Sequence, residues 1–155
     1  MEIHLLRELL VASVMVAITV VTHVAGLAGL LAMMRSHQSR FSTRRVALDQ
    51  VIIILGVAFG LFALHAIEIW AYAFLYLRLT DWPTFEQALY FSTTTYTTIG
   101  YGDVTLPPAW RVLGAIEGAN GIILLGWSTA FFVSVVGRIR ALEQDWSPLR
   151  PPPSP

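Results

Sequence analysis

The sequence predicts an all-α membrane protein, with three transmembrane helices and one short re-entrant helix that ends in a glycine-containing loop. Three observations carry that prediction. Of 155 residues, 55% are hydrophobic and only 13% are charged. Three apolar stretches are each longer than the roughly 20 residues that a hydrocarbon core requires. Between the second and third, residues 97–103 read Thr-Thr-Ile-Gly-Tyr-Gly-Asp, a run unsuited to an ordinary helix or strand interior. Cysteine is absent, which excludes disulfides and thiolate metal sites. The formal net charge is zero, which argues against a nucleic-acid partner, and no small-molecule substrate is indicated.

The first helix occupies residues 1–35, and Leu9 to Met34 contains no Asp, Glu, Lys or Arg. That run far exceeds the roughly 7–15 apolar residues of a signal peptide, so it reads as a retained span. It has no regular arginine ladder and is therefore no voltage sensor of the usual kind. Gly26, Gly29 and their small neighbours point to helix packing at the periphery. His23 stands alone on this apolar helix and is expected to be a packed core histidine. All ten basic residues are arginines, and Arg35, Arg40, Arg44 and Arg45 crowd the linker at residues 36–46. The positive-inside rule sets that linker in the cytoplasm, with the amino terminus outside and the tail inside. His37 in this linker is expected to be solvated.

The second helix covers residues 47–79, and Glu68 is the only charged residue from Val51 to Leu77. Trp70, Tyr72, Tyr76 and Trp82 are expected to form an outer aromatic belt. Asp81-Trp82-Pro83-Thr84 is a helix-start signal, and Thr84 with Gln87 fits a capping box. In the helix that follows, residues 84–96, the stretch from Phe85 to about Tyr96 is about 18 Å long at 1.5 Å per residue, too short to span. It fits a re-entrant segment, tolerated at membrane depth only when surrounded by protein or water. Its carboxyl end points toward the bilayer centre, where the negative end of the helix dipole favours a cation. Its hydroxyl-rich run from Ser92 to Thr98 is an indifferent helix former, so packing must hold it. The third helix, residues 109–140, starts with Pro107 and Pro108 and has Glu117 as the only charge from Val112 to Gly137. Gly114, Gly118, Gly121 and Gly126 repeat along it, either for close packing or as a bending point. The tail, residues 141–155, ends in Arg-Pro-Pro-Pro-Ser-Pro and reads as extended and mobile.

Thr98, Ile99, Gly100, Tyr101, Gly102 and Asp103 resemble the selectivity filter of potassium channels, Thr-Val-Gly-Tyr-Gly, with isoleucine in the valine place. The resemblance covers about residues 47–140 and implies the potassium-channel pore fold: outer helix 47–79, pore helix 84–96, filter 97–103 and inner helix 109–140. It implies K+ ions coordinated by the carbonyls of Thr98, Ile99, Gly100 and Tyr101, with the Thr98 hydroxyl at the innermost position. Thr97 opens the filter. Ile99 and Tyr101 are expected to point off the axis, the Tyr101 ring packing on Tyr90 and Phe91. Asp103 is expected at the outer mouth, attracting cations and accepting a hydrogen bond from a neighbour. Thr94 takes the place where some members carry an acid. The family's bend falls near Gly121, with Gly126 second, and Ile123, Ala130, Phe131 and Ser134 are candidates for the cavity wall.

A single filter strand cannot ring an ion, so four identical chains are required, a closed cyclic homotetramer in a lipid bilayer. The expected function is passive K+ conduction, with no enzymatic turnover. A non-conducting scaffold or accessory subunit, or a weakly selective cation channel, stands as the alternative. Brevity and the lack of sensor domains are read as a prokaryotic plasma membrane. Glu68 and Glu117 lie at similar calculated depths, roughly 14–17 Å. With His65 on the Glu68 face, they are expected to meet behind the filter and brace the pore helix through Thr94 or Tyr90. That cluster either confers pH sensitivity or is a satisfied structural contact. His65 and Glu68 are too few ligands for a metalloenzyme and lack HExxH spacing.

Overall fold

A computed structural model describes residues 2–38 and 46–145. Among them the chain forms α1 (Glu2–Gln38), α2 (Val46–Leu79), α3 (Phe85–Tyr96), a 3-10 turn at Pro108–Trp110 and α4 (Arg111–Asp145). Three of these helices are long and apolar enough to cross a membrane. The fold is all-α, with no strand among the described residues.

The element boundaries follow local chemistry. Nothing in Ser36-His37-Gln38 breaks a helix, and Ser36 donates back to the Met33 carbonyl, so α1 continues past residue 35 into the expected linker. Pro107 and Pro108 produce a 3-10 turn first, so the inner helix begins at Arg111 rather than 109, and it continues to Asp145 rather than 140. Thr84 caps α3 by accepting the Gln87 N–H at 3.3 Å, so the helix proper starts at Phe85. Arg40, Arg44, Arg45 and the proline-rich end of the tail lie outside the described residues.

α3 is held between α2 and α4, and α1 packs against both of those long helices. Two apolar clusters form the core. One gathers Ala12, Met15, Ala73, Tyr76, Phe91, Trp110 and Leu113; the other gathers Met34, Val57, Leu61, Val135 and Ile139. Buried His23, Glu68, Ser128, Asn120 and Thr19 contribute a set of polar contacts joining α1, α2 and α4. The outward face is the reverse: Leu6, Leu10, Val14 and Val21 of α1, and Ile52, Phe59 and Phe62 of α2, are exposed. Apolar outside and polar inside is the arrangement lipid demands.

Tyr72 and Tyr76 are fully buried and leave the expected aromatic belt. Each hydroxyl finds an interior partner: Tyr72 accepts from Asn120 at 3.4 Å and Tyr76 donates to Glu117 at 2.6 Å. Trp82 turns inward onto Tyr76 and Phe91, while Trp70 is half exposed.

Candidate functional site: the loop after α3 and its supports

The loop leaving α3 has an unusual backbone. Thr98, Gly100 and Gly102 have φ of 61°, 52° and 79°, alternating with residues of negative φ. Glycine takes a left-handed conformation freely, whereas a β-branched threonine there stores roughly 1–3 kcal/mol of strain. Alternating handedness turns successive N–H groups to one side and so frees the carbonyls to the other. The loop is pinned to the end of α3: Thr98 N–H donates to Thr95 O at 2.9 Å and Gly100 N–H to Thr94 O at 3.0 Å. At its outer end, Asp103 accepts from Tyr90 of its own chain at 2.7 Å and from the Val104 N–H at 3.0 Å. That bond raises the Tyr90 phenol above its ordinary pKa.

The support behind the loop differs from the sequence expectation. Glu68 and Glu117 do not meet; each braces α3 at its own level. Glu117 accepts from Ser92 at 2.5 Å and from Tyr76 at 2.6 Å, near the start of α3's second half. Glu68 accepts from Tyr96, the last residue of α3, at 2.5 Å. The depth calculation assumed that α2 and α4 have level outer ends. In fact Glu117 meets Tyr76, eight residues and about 12 Å along α2 from Glu68.

His65 does join Glu68, at 3.2 Å, and its other nitrogen meets Ser128 at 2.9 Å. His23 is not solitary: its Nδ1 lies 2.9 Å from Glu68 Oε1, linking α1 to the same cluster. Neither Thr94 nor Tyr90 mediates the brace, because Thr94 donates to the Phe91 carbonyl and Tyr90 turns outward to Asp103. Tyr96, Ser92, Tyr76, Ser128 and His23 are the contributors that sequence reasoning missed.

Two further expectations change, those for Phe91 and Phe131. Phe91 packs on Tyr76 and Trp82 rather than beneath Tyr101, whose side chain is 71% exposed in the single chain. α4 is one uninterrupted helix through Gly121 and Gly126. A Cβ at Gly121 would run into the Tyr96 carbonyl, and one at Gly118 would lie 3.3 Å from the Thr95 carbonyl, so these glycines serve close packing against the end of α3. Gly126 has nothing near its Cβ position. Ile123, Ala130 and Ser134 lie on the exposed face of α4, whereas Phe131 packs against the Val57 and Leu61 cluster.

A groove of about 440 Å3 flanks the loop, between Thr95, Thr98 and Gly100 on one side and Gly114, Ala115 and Gly118 on the other. The family described as ion channel matches residues 60–138, just over half of the chain, which takes in the loop and its supports on α2, α3 and α4 but not His23. No curated protein and no solved structure gives a significant match.

Proposed function

The chain belongs to the ion channel family, in its two-helix potassium-channel pore form, and from that premise we propose that it conducts K+ passively through a homotetrameric pore. The observation that carries the reading is the alternation of φ sign at Thr98, Gly100 and Gly102 within Thr-Ile-Gly-Tyr-Gly. In this reading, four such loops face a common axis. The carbonyls of Thr98, Ile99, Gly100 and Tyr101, with the Thr98 hydroxyl, replace the water around a dehydrated K+. K+ is the cargo and moves between successive oxygen rings, each binding it strongly enough to admit it and weakly enough to release it.

The groove beside the loop and the exposed Tyr101 ring are the surfaces a neighbouring chain would cover. Ile123, Ala130 and Ser134 then face the cavity below the filter, where α3's carboxyl end favours a cation. Asp103, fixed by Tyr90, stands at the outer mouth, with the amino terminus on the outer side of the membrane and the tail in the cytoplasm. The test is K+ against Na+ flux from purified protein in liposomes, with Ba2+ as blocker, beside a mass measurement of the assembly. Ba2+-blocked flux that strongly prefers K+, from a tetramer, is expected. Equal K+ and Na+ flux would leave a weakly selective cation channel, and no flux from a folded assembly would leave a scaffold.

A further inference from the structure

We propose that His23, His65 and Glu68 form a binding site for a transition-metal dication of the Zn2+ class. The ligand atoms of the two imidazoles and the carboxylate all lie within 4.8 Å of one another. His23 Nδ1 is 2.9 Å from Glu68 Oε1, and His65 Nδ1 is 3.2 Å from Glu68 Oε2. Donors 2.0–2.2 Å from a tetrahedral Zn2+ stand about 3.3 Å apart, so these two pairs match that geometry while the cluster as a whole must draw in from 4.8 Å. Tyr96 Oη, 3.0 Å from His65 Nδ1, donates to Glu68 beside them. Two nitrogens and a carboxylate favour Zn2+, Cu2+ or Ni2+ over Mg2+ or Ca2+, which take oxygen ligands.

Six contacts join His23, His65, Glu68, Tyr96 and Ser128. With neutral imidazoles and an ionised carboxylate, four hydrogens are available, one on each imidazole and one on each hydroxyl. They serve five of the contacts when the His65 Nδ1–H is shared between Glu68 and Tyr96, and they leave Ser128 Oγ and His23 Nε2 facing each other at 3.4 Å with no hydrogen between them. A metal among the two Nδ1 atoms and the carboxylate puts a hydrogen on each Nε2 and removes that mismatch. Both Nε2–H groups then donate to Ser128 Oγ, 2.9 Å from His65 and 3.4 Å from His23, and Tyr96 donates to Glu68. One acceptor orienting both imidazoles is the outer support that histidine ligands usually carry. The helix end at Tyr96 also supplies negative dipole toward the positive ion.

The site belongs to a different chemistry from conduction, and its test needs no flux. The whole chain in lipid nanodiscs, stripped with chelator, is titrated with Zn2+ alone, and the retained Zn2+ is examined by X-ray absorption. The expected result is one ion per chain, with imidazole in a nitrogen and oxygen shell at about 2.0–2.2 Å. His23→Gln and Glu68→Gln weaken binding about tenfold or more, and His4→Gln, at an exposed position, leaves it unchanged. The proposal is overturned if the wild type retains no Zn2+, the outcome expected if an extra proton fills the cluster instead. Retention that follows His4, or an absorption spectrum without imidazole, overturns it equally. Should a variant fail to fold, the wild-type spectrum alone decides.

Discussion

Alanine at Gly121 tests whether the contact between α4 and the end of α3 holds the loop in place. A methyl group there overlaps the Tyr96 carbonyl, which is backbone and cannot swing aside. Non-bonded heavy atoms settle at roughly 3.5–4.0 Å, so α3 and α4 must part by about 1.5 Å. Overpacking of this kind costs about 1–3 kcal/mol per chain, and in a fourfold assembly the cost recurs in every copy. Since 1.4 kcal/mol corresponds to a factor of about ten, K+ flux per assembly is expected to fall more than tenfold. Thermal stability of the assembly falls with it. Gly114→Ala meets the movable tip of Leu106 at 2.9 Å and the Phe91 ring at 3.4 Å, no backbone atom, and is expected to lie between. Gly29→Ala meets nothing within 4 Å and is expected to match the wild type. The assays are liposome flux and the melting of the purified assembly. Wild-type flux and melting in Gly121→Ala would refute the packing argument. Altered gating with unchanged melting would favour the bending role instead.

Tyr96→Phe removes the hydroxyl that donates to buried Glu68 and is expected to lower stability by about 1 kcal/mol per chain, read from denaturation in detergent. Glu8→Ala deprives the Leu113 N–H in the first turn of α4 of its acceptor at 2.9 Å; a loss of about 1–2 kcal/mol is expected, with faster amide exchange at Leu113. The raised Tyr90 phenol gives a pH dependence whose sign follows from the bond to Asp103. Because the neutral phenol is favoured in the fold, its stabilisation is full below the ordinary phenol value of about 10 and is lost as pH rises through the raised value. The ultraviolet titrations of the wild type and Tyr90→Phe should differ by one phenolate, and that phenolate should appear above the ordinary phenol range.

The spans, the re-entrant helix and the loop were legible because each depends on local signals: apolar length, a Thr84 cap, and glycines at Gly100 and Gly102. The partners of the buried charges were not, because they depend on how far each helix slides along the next. Counting residues from helix ends put Glu68 and Glu117 at one depth, yet Glu117 is level with Tyr76 and Glu68 with Tyr96. The aromatic belt failed for a related reason. Tyr72 and Tyr76 have the composition of interface residues, but interior Asn120 and Glu117 take their hydroxyls. Gly121 could have been read either way from sequence, since packing and bending both favour glycine, and only the neighbouring Tyr96 carbonyl separates them.

His23 was taken as solitary because its own helix holds no partner for it, but a longer view of α1 contains the signal. Glu8, Ala12, Met15, Thr19 and His23 are spaced by four, three, four and four residues, which places them on one face, and all five are buried. Lipid tails are as apolar as leucine, so burying leucine against α2 and α4 gives α1 little reason to dock. The polar members of the stripe supply one. Glu8 takes the Leu113 N–H, Thr19 accepts from Asn120 at 2.8 Å, and His23 reaches Glu68 at 2.9 Å. These contacts fix α1 at three heights, with Arg7 over the Trp110 ring adding to the first. The leading helix is therefore keyed to α2 and α4 rather than merely packed at their edge. A shift of one turn, about 5.4 Å, would leave a carboxylate and an imidazole facing apolar surroundings, so polar satisfaction sets the register where hydrophobic burial cannot.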